Sequence, residues 1–131
     1  MNTKHYTSIE MSKRLLELGL SPETADGWWT PLNWQLTEYY VEVKQNGIGT
    51  PKNPIPCWSL GALLELMPKI CEDENDGGCY PTLCKGYNTG KWHCVYRRSI
   101  YITDWYDNSI DAVFEMIVWL LENGYIKTEK M

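Results

Sequence analysis

The chain has 131 residues, 44% of them hydrophobic and 22% charged, with a formal net charge of −5. That length buries a core without metal or disulfide staples, and the acidic balance excludes an electrostatic hold on duplex nucleic acid or anionic lipid. The aromatic set is skewed to seven Trp and nine Tyr against one Phe, rings with polar tips that suit layer edges and binding surfaces.

No apolar run of signal-peptide type appears in Met1-Asn2-Thr3-Lys4-His5-Tyr6, which predicts a cytoplasmic protein whose Cys57, Cys71, Cys79, Cys84 and Cys94 stay reduced. Thr7-Ser8-Ile9-Glu10 reads as a capping box with Thr7 as N-cap, Tyr6 and Met11 forming a hydrophobic staple. The helix that follows turns Ile9, Met11, Leu15, Leu16 and Leu18 inward and ends at Gly19, with Leu20 folding back on Leu15. Ser21-Pro22-Glu23 starts another turn of helix that stops by Gly27. A helix-turn-helix reader is excluded on two grounds. The second helix has too little length, and Glu23 and Asp26 stand where base-reading side chains belong.

Gly27-Trp28-Trp29-Thr30-Pro31 reads as an aromatic turn, with Trp34 close behind. Glu38 to Lys44 alternates as a half-buried strand, and Asn46 to Pro56 is a loop rich in Gly and Pro. Ser59 caps a helix that carries Leu60, Leu63, Leu64 and Met67 on one face and stops at Pro68. Gly61 within it predicts close approach of a neighbour. Glu72 to Gly78 resembles a calcium loop in its acids, yet Cys84 stands where the closing Glu should be, so a solvated loop is expected.

Thr82 to Arg97 reads as a hairpin around Asn88-Thr89-Gly90. With that loop, Cys84 faces Cys94, Trp92 covers Gly86, and His93 points to the face opposite both cysteines. Ile100 and Ile102 begin a further strand. The last helix spans Ser109 to Gly124, capped by Asn108 or Ser109 and closed by Gly124. Its polar residues Asp111, Glu115 and Glu122 form one narrow stripe, so most of its circumference is buried. These elements predict one α+β domain over residues 1–131, a two-layer sandwich of about four mainly antiparallel strands against about three helices.

Chemistry has few footholds. A thiolate needs a base within reach; the hairpin parity separates His93 from Cys84 and Cys94, while Cys71 or Cys79 in the loop can still reach it. The Cys79–Cys84 spacing permits zinc, but the same parity withholds His93. No phosphate loop, nucleophile elbow or His-Glu-x-x-His motif is present. Neither an enzyme, a cofactor nor a metal is therefore expected. Trp28, Trp29, Trp34 and Tyr40 gather amphipathic rings into a short stretch and are the predicted binding patch, for another protein.

Three segments carry a resemblance: His5 to Glu10 continuing through Leu15-Leu16-Glu17-Leu18-Gly19-Leu20-Ser21-Pro22-Glu23-Thr24-Ala25-Asp26; Ile55-Pro56-Cys57-Trp58-Ser59-Leu60-Gly61-Ala62-Leu63-Leu64; and Val118 to Ile126. Together they resemble a family of short uncharacterised proteins of Bacteroides-type gut bacteria, many carried on prophages or other mobile elements. The resemblance implies that setting and no mechanism. The expectation is a non-enzymatic, macromolecule-binding protein of a mobile element, without affinity for duplex nucleic acid or membrane. The alternatives are a small thiol enzyme pairing a loop cysteine with His93, or an aromatic platform for sugar or single-stranded nucleic acid.

Overall fold

The computed structural model describes residues 5–31, 39–43, 54–68, 70, 80–96 and 101–128. Within them the chain runs α1 (Ile9–Glu17), a 3-10 turn (Pro22–Thr24), β1 (Gly27–Pro31), β2 (Tyr39–Val43), β3 (Ile55–Cys57), α2 (Leu60–Leu66), β4 (Pro81–Lys85), β5 (Trp92–Tyr96) and α3 (Ser109–Glu122). The class is α+β. Among the described residues the strands do not join into a single sheet of about four. The described strands divide into two small antiparallel sheets, one ordered β2-β1-β3 and the other β4-β5.

The division follows from β1, the segment expected to be a turn. Trp and Thr favour extended backbone, and Pro31 falls at the strand's end, where its missing N–H costs least. Strands on both sides then pair with it: Trp29 lies opposite Val41 in β2 and Ile55 in β3. Thr30 on the same strand has a buried hydroxyl oxygen without a hydrogen-bond partner among the described residues. Thr30→Val removes that orphaned group at nearly constant shape, so a thermal melt should show Tm unchanged or raised.

α3 is the helix that organises the larger core. It packs against β5, β4 and α2 and buries Ile110, Ala112, Val113, Met116, Ile117, Leu120 and Leu121. Asn108 caps its start by accepting the Asp111 N–H at 2.9 Å. Gly124, at φ +77°, closes its end while the Tyr125 N–H donates to the Leu120 carbonyl at 2.9 Å. α1 ends in the same way, with Gly19 at φ +96° and the Leu20 N–H on the Leu15 carbonyl at 3.0 Å. Both are Schellman closures, which need a left-handed residue and an apolar one after it. Leu15, Leu20, Trp58, Leu63, Met67, Cys94 and Tyr96 complete this core. A smaller cluster of Trp29, Val41 and Cys57, packed by Tyr6, Ile9 and Ile55, lies at the other sheet.

Three local expectations are corrected. The N-cap of α1 is Ser8, whose hydroxyl accepts the Met11 N–H at 3.1 Å. Thr7 is instead wholly buried and fastens three elements together: its hydroxyl pairs with Ser12 Oγ at 2.7 Å and accepts the Trp58 N–H at 3.1 Å, and its carbonyl accepts Trp29 Nε1–H at 2.8 Å. With Ser8 as the cap, the staple positions move to Thr7 and Ser12, and Tyr6 packs against the Trp29, Val41 and Cys57 cluster. Gly61 is exposed, and a Cβ there would meet nothing nearer than Ser59 Oγ at 3.9 Å. Among the described residues no helix is long and apolar enough to cross a membrane.

Candidate recognition site at the hairpin tip

Hairpin register decides which side chains meet. The turn is one residue longer than expected: the Gly86 N–H donates to the Lys91 carbonyl at 2.7 Å, and Gly90, at φ +69°, sends its N–H to the Gly86 carbonyl at 3.1 Å. Residues 87–90 are therefore the loop. The register slips by one, placing Leu83 opposite Cys94 and Cys84 opposite His93. A one-residue slip reassigns every cross-strand neighbour. Cys94 and Tyr96 turn into the core against α3, whereas Cys84 and His93 share the outer face, contrary to the parity expected from the sequence.

The segment after β5 returns along it as an irregular edge. Trp92 and Tyr106 exchange both backbone hydrogen bonds, at 2.7 and 2.8 Å, and the Thr103 N–H reaches the Cys94 carbonyl at 3.0 Å. Alternation then sends Tyr106 toward α3 and Trp105 to the outer face. Glu115 of α3 holds the inner side, accepting Tyr101 Oη–H at 2.7 Å, Tyr106 Oη–H at 2.6 Å and the Asp104 N–H at 3.1 Å. The Tyr101 ring also stacks on Trp119, which stacks on Tyr125.

On the outer face Trp105 lies flat against His93, ring centroids 3.8 Å apart and planes 11° from parallel. Its six-membered ring also sits over Gly86, where a Cβ would come within 3.0 Å of the indole and 2.6 Å of Thr89 Oγ1. The expected glycine cover is present, with Trp105 in the place assigned to Trp92. Trp92 instead lies opposite Lys85, whose ammonium is 5.4 Å from its ring centroid. One face of Trp105 is thus occupied by His93, yet the residue remains 48% exposed. Gly86, Tyr87, Asn88, Thr89, Lys91 and Trp105 line a groove of about 480 Å³, a volume typical of small-ligand sites. Tyr87 is fully exposed. His93 Nδ1, beneath the indole, is buried with no hydrogen-bond partner among the described residues. Gly86→Val should push Trp105 off the turn. Loss of the upfield ring-current shifts on the His93 protons in an NMR spectrum would report it, and unchanged shifts would mean the indole is not seated there.

Of the patch expected from the sequence, Trp29 is 5% exposed with its indole N–H bound to Thr7, which makes it a packing residue. Trp28 is half-buried, beside Glu42 and Pro56 in register. Trp34 lies outside the described residues, and of Tyr40 only the backbone is described, opposite Thr30. The structure does not bring these four together on one described surface. Residues Tyr87, Lys91 and Trp105 were not singled out by the sequence reading, although a signal exists. Residues 80–98 hold Lys85, Lys91, Arg97 and Arg98, four aromatics and no acid, within a chain of net charge −5.

The thiols differ in environment. Burial, with Cys84 nearby, pushes the Cys94 thiol up to about 12, whereas Cys84 is only half-buried. Cys71 and Cys79, the expected partners of His93, lie outside the described residues. Among the described residues no three His, Cys, Asp or Glu side chains gather as metal ligands. No protein-family model, curated protein or solved structure matches the chain.

Proposed function

We propose that this chain is a non-enzymatic recognition protein that binds another macromolecule through the tip of the β4–β5 hairpin, in the cytoplasm and in the setting of a prophage or other mobile element. The observation that carries the reading is Trp105, stacked on His93 and seated over Gly86 while it stays 48% exposed at the wall of a groove. A large ring held in place before contact loses little freedom on binding, which is the condition for an interface anchor. Nearby Tyr87, Asn88 and Lys91 supply the polar rim. The test is affinity capture with wild type and Trp105→Ala, each checked by thermal melt. A partner retained by the wild type and lost from a folded variant supports the reading, and a partner retained equally by both overturns it.

A second reading, thiol chemistry at Cys84, is favoured by one observation: Cys84 and His93 are cross-strand neighbours on the same face. Among the described residues no hydrogen bond links the two side chains, and the His93 ring is held by Trp105, so the recognition reading is preferred. Site-resolved alkylation at neutral pH should modify Cys84 slowly in the native protein, and Cys57 and Cys94 only after denaturation. Labelling of Cys84 at rates far above those of an ordinary exposed thiol would favour the enzyme.

A further inference from the structure

We infer that the groove between Trp105 and the 86–91 turn takes an unpaired base of single-stranded nucleic acid, stacked on the indole with its phosphate toward Lys91. The inference rests on the reading of the hairpin tip as a recognition surface and names the ligand class. Three observations converge on it. The first is the platform: Trp105 is braced on one face by His93 and is 48% exposed as a residue, and any base has a π-face that such a ring accepts. The second is charge. Lys91 lines the groove, and the hairpin from Tyr80 to Tyr96 contains no acid, so the side of the groove away from Asp104 and Asp107 offers a phosphate a cation. Among the described residues Lys91 pairs with Asp107 at 4.0 Å, Lys91 half exposed and Asp107 largely so. A pair that long and that solvated contributes little, so the ammonium can exchange the carboxylate for a phosphate. The third is access. The turn leaves Tyr87 fully exposed beside the groove, a second ring on which a neighbouring base can stack.

A duplex does not fit this scheme, because its bases are already stacked on each other and offer the indole no open π-face. A neutral sugar would stack on the same ring, but it makes no use of the acid-free, lysine-bearing hairpin.

The experiment is fluorescence anisotropy with an end-labelled, unstructured oligothymidylate and its oligouridylate counterpart. A duplex of equal length and a labelled neutral oligosaccharide are the comparison arms. The proteins are wild type, Trp105→Ala, Trp105→Phe and Lys91→Glu. Saturable binding of the single strands is expected, weakening as salt rises. Trp105→Ala should cost about tenfold or more, the scale of one lost base–aromatic stack. Trp105→Phe should keep most of the affinity, and Lys91→Glu should lower it and flatten the salt dependence. Should Trp105→Ala melt early, the Phe and Glu variants carry the test. The inference is overturned if wild type fails to bind either single strand, if a folded Trp105→Ala binds as well as wild type, if duplex binds equally, or if only the oligosaccharide binds in a Trp105-dependent way. Capture of a protein partner that depends on Trp105, with no oligonucleotide binding, would overturn this inference and leave the recognition reading standing.

Discussion

Replacing Trp58 by alanine is expected to lower unfolding free energy by about 3–5 kcal/mol, the range for deleting a buried large aromatic side chain. Trp58 is completely buried, and it is held at three points. Its Nε1–H donates to Thr24 Oγ1 at 2.9 Å, its backbone N–H to Thr7 Oγ1 at 3.1 Å, and its carbonyl accepts the Thr7 N–H at 2.8 Å. The residue therefore joins the entry of α1 through its backbone and ties the 3-10 turn to the core built on α3 through its ring. Alanine leaves a cavity among rigid neighbours and removes the indole donor to Thr24, whose hydroxyl keeps its own bond to the Ser21 carbonyl. Against a total stability of about 5–15 kcal/mol for an ordinary domain, that change leaves the protein close to unfolding at physiological temperature. Trp58→Phe keeps most of the apolar volume and loses the indole hydrogen bond and the second ring, so it should cost less than half as much. Urea denaturation of the three proteins measures the difference from the shift in midpoint at constant slope. A loss under about 1 kcal/mol for alanine would show that the core closes over the site and that the ring is not what ties these elements together.

The parts of this fold legible in the sequence are those with a local chemical cause. Gly19 and Gly124 each follow a helical pattern and precede an apolar residue, and both close helices with left-handed backbone. Ser59 caps α2 and accepts the Ala62 N–H, while Asn108 caps α3. What was not legible depends on partners distant in sequence. Gly27–Pro31 carries two glycine-or-proline punctuation marks around two tryptophans, a turn by local rules, and becomes a central strand because β2 and β3 flank it. Thr7 looks like a cap and is a buried junction because Trp58 and Trp29 arrive from 51 and 22 residues away. Hairpin register turned on a single loop residue, and with it the pairing of Cys84 with His93. Trp105 was hidden for a related reason. Its role requires Gly86 below it, His93 beside it and Glu115 behind its strand, and none of these lies within helical or strand spacing of it.

Glu115 connects that fold to the proposed site, and its removal should be read in both. The carboxylate accepts hydrogen bonds from Tyr101, Tyr106 and the Asp104 N–H, so one side chain of α3 holds both ends of the segment that presents Trp105. Hydrogen bonds to a charged group contribute about 1.5–3 kcal/mol each when well enclosed. Here the groups are only partly buried and water replaces some of what is lost, so Glu115→Ala should cost about 2 kcal/mol in all. Glu115→Gln, which keeps one acceptor oxygen, should cost less. The hydrogen bond to Glu115, then burial and neighbouring acids, push the Tyr101 phenol up to about 12 and raise that of Tyr106 as well. A phenol whose pKa is raised by folding stabilises the native state below its unfolded value, about 10, and that contribution is lost as pH rises through the folded value. The stability gap between wild type and Glu115→Ala should therefore be full at neutral pH and shrink from about pH 10 upward, the Tyr101 share going by about pH 12 and the Tyr106 share at higher pH still. In the variant both phenols should ionise nearer the ordinary value, which a tyrosinate absorbance titration reads directly. Ligand binding should fall too, because Trp105 loses the anchor of its strand even where the global fold survives. If Glu115→Ala lowers stability yet leaves Trp105-dependent binding untouched, the backbone pairing with β5 alone positions the indole. If neither changes, the three hydrogen bonds do not hold in solution.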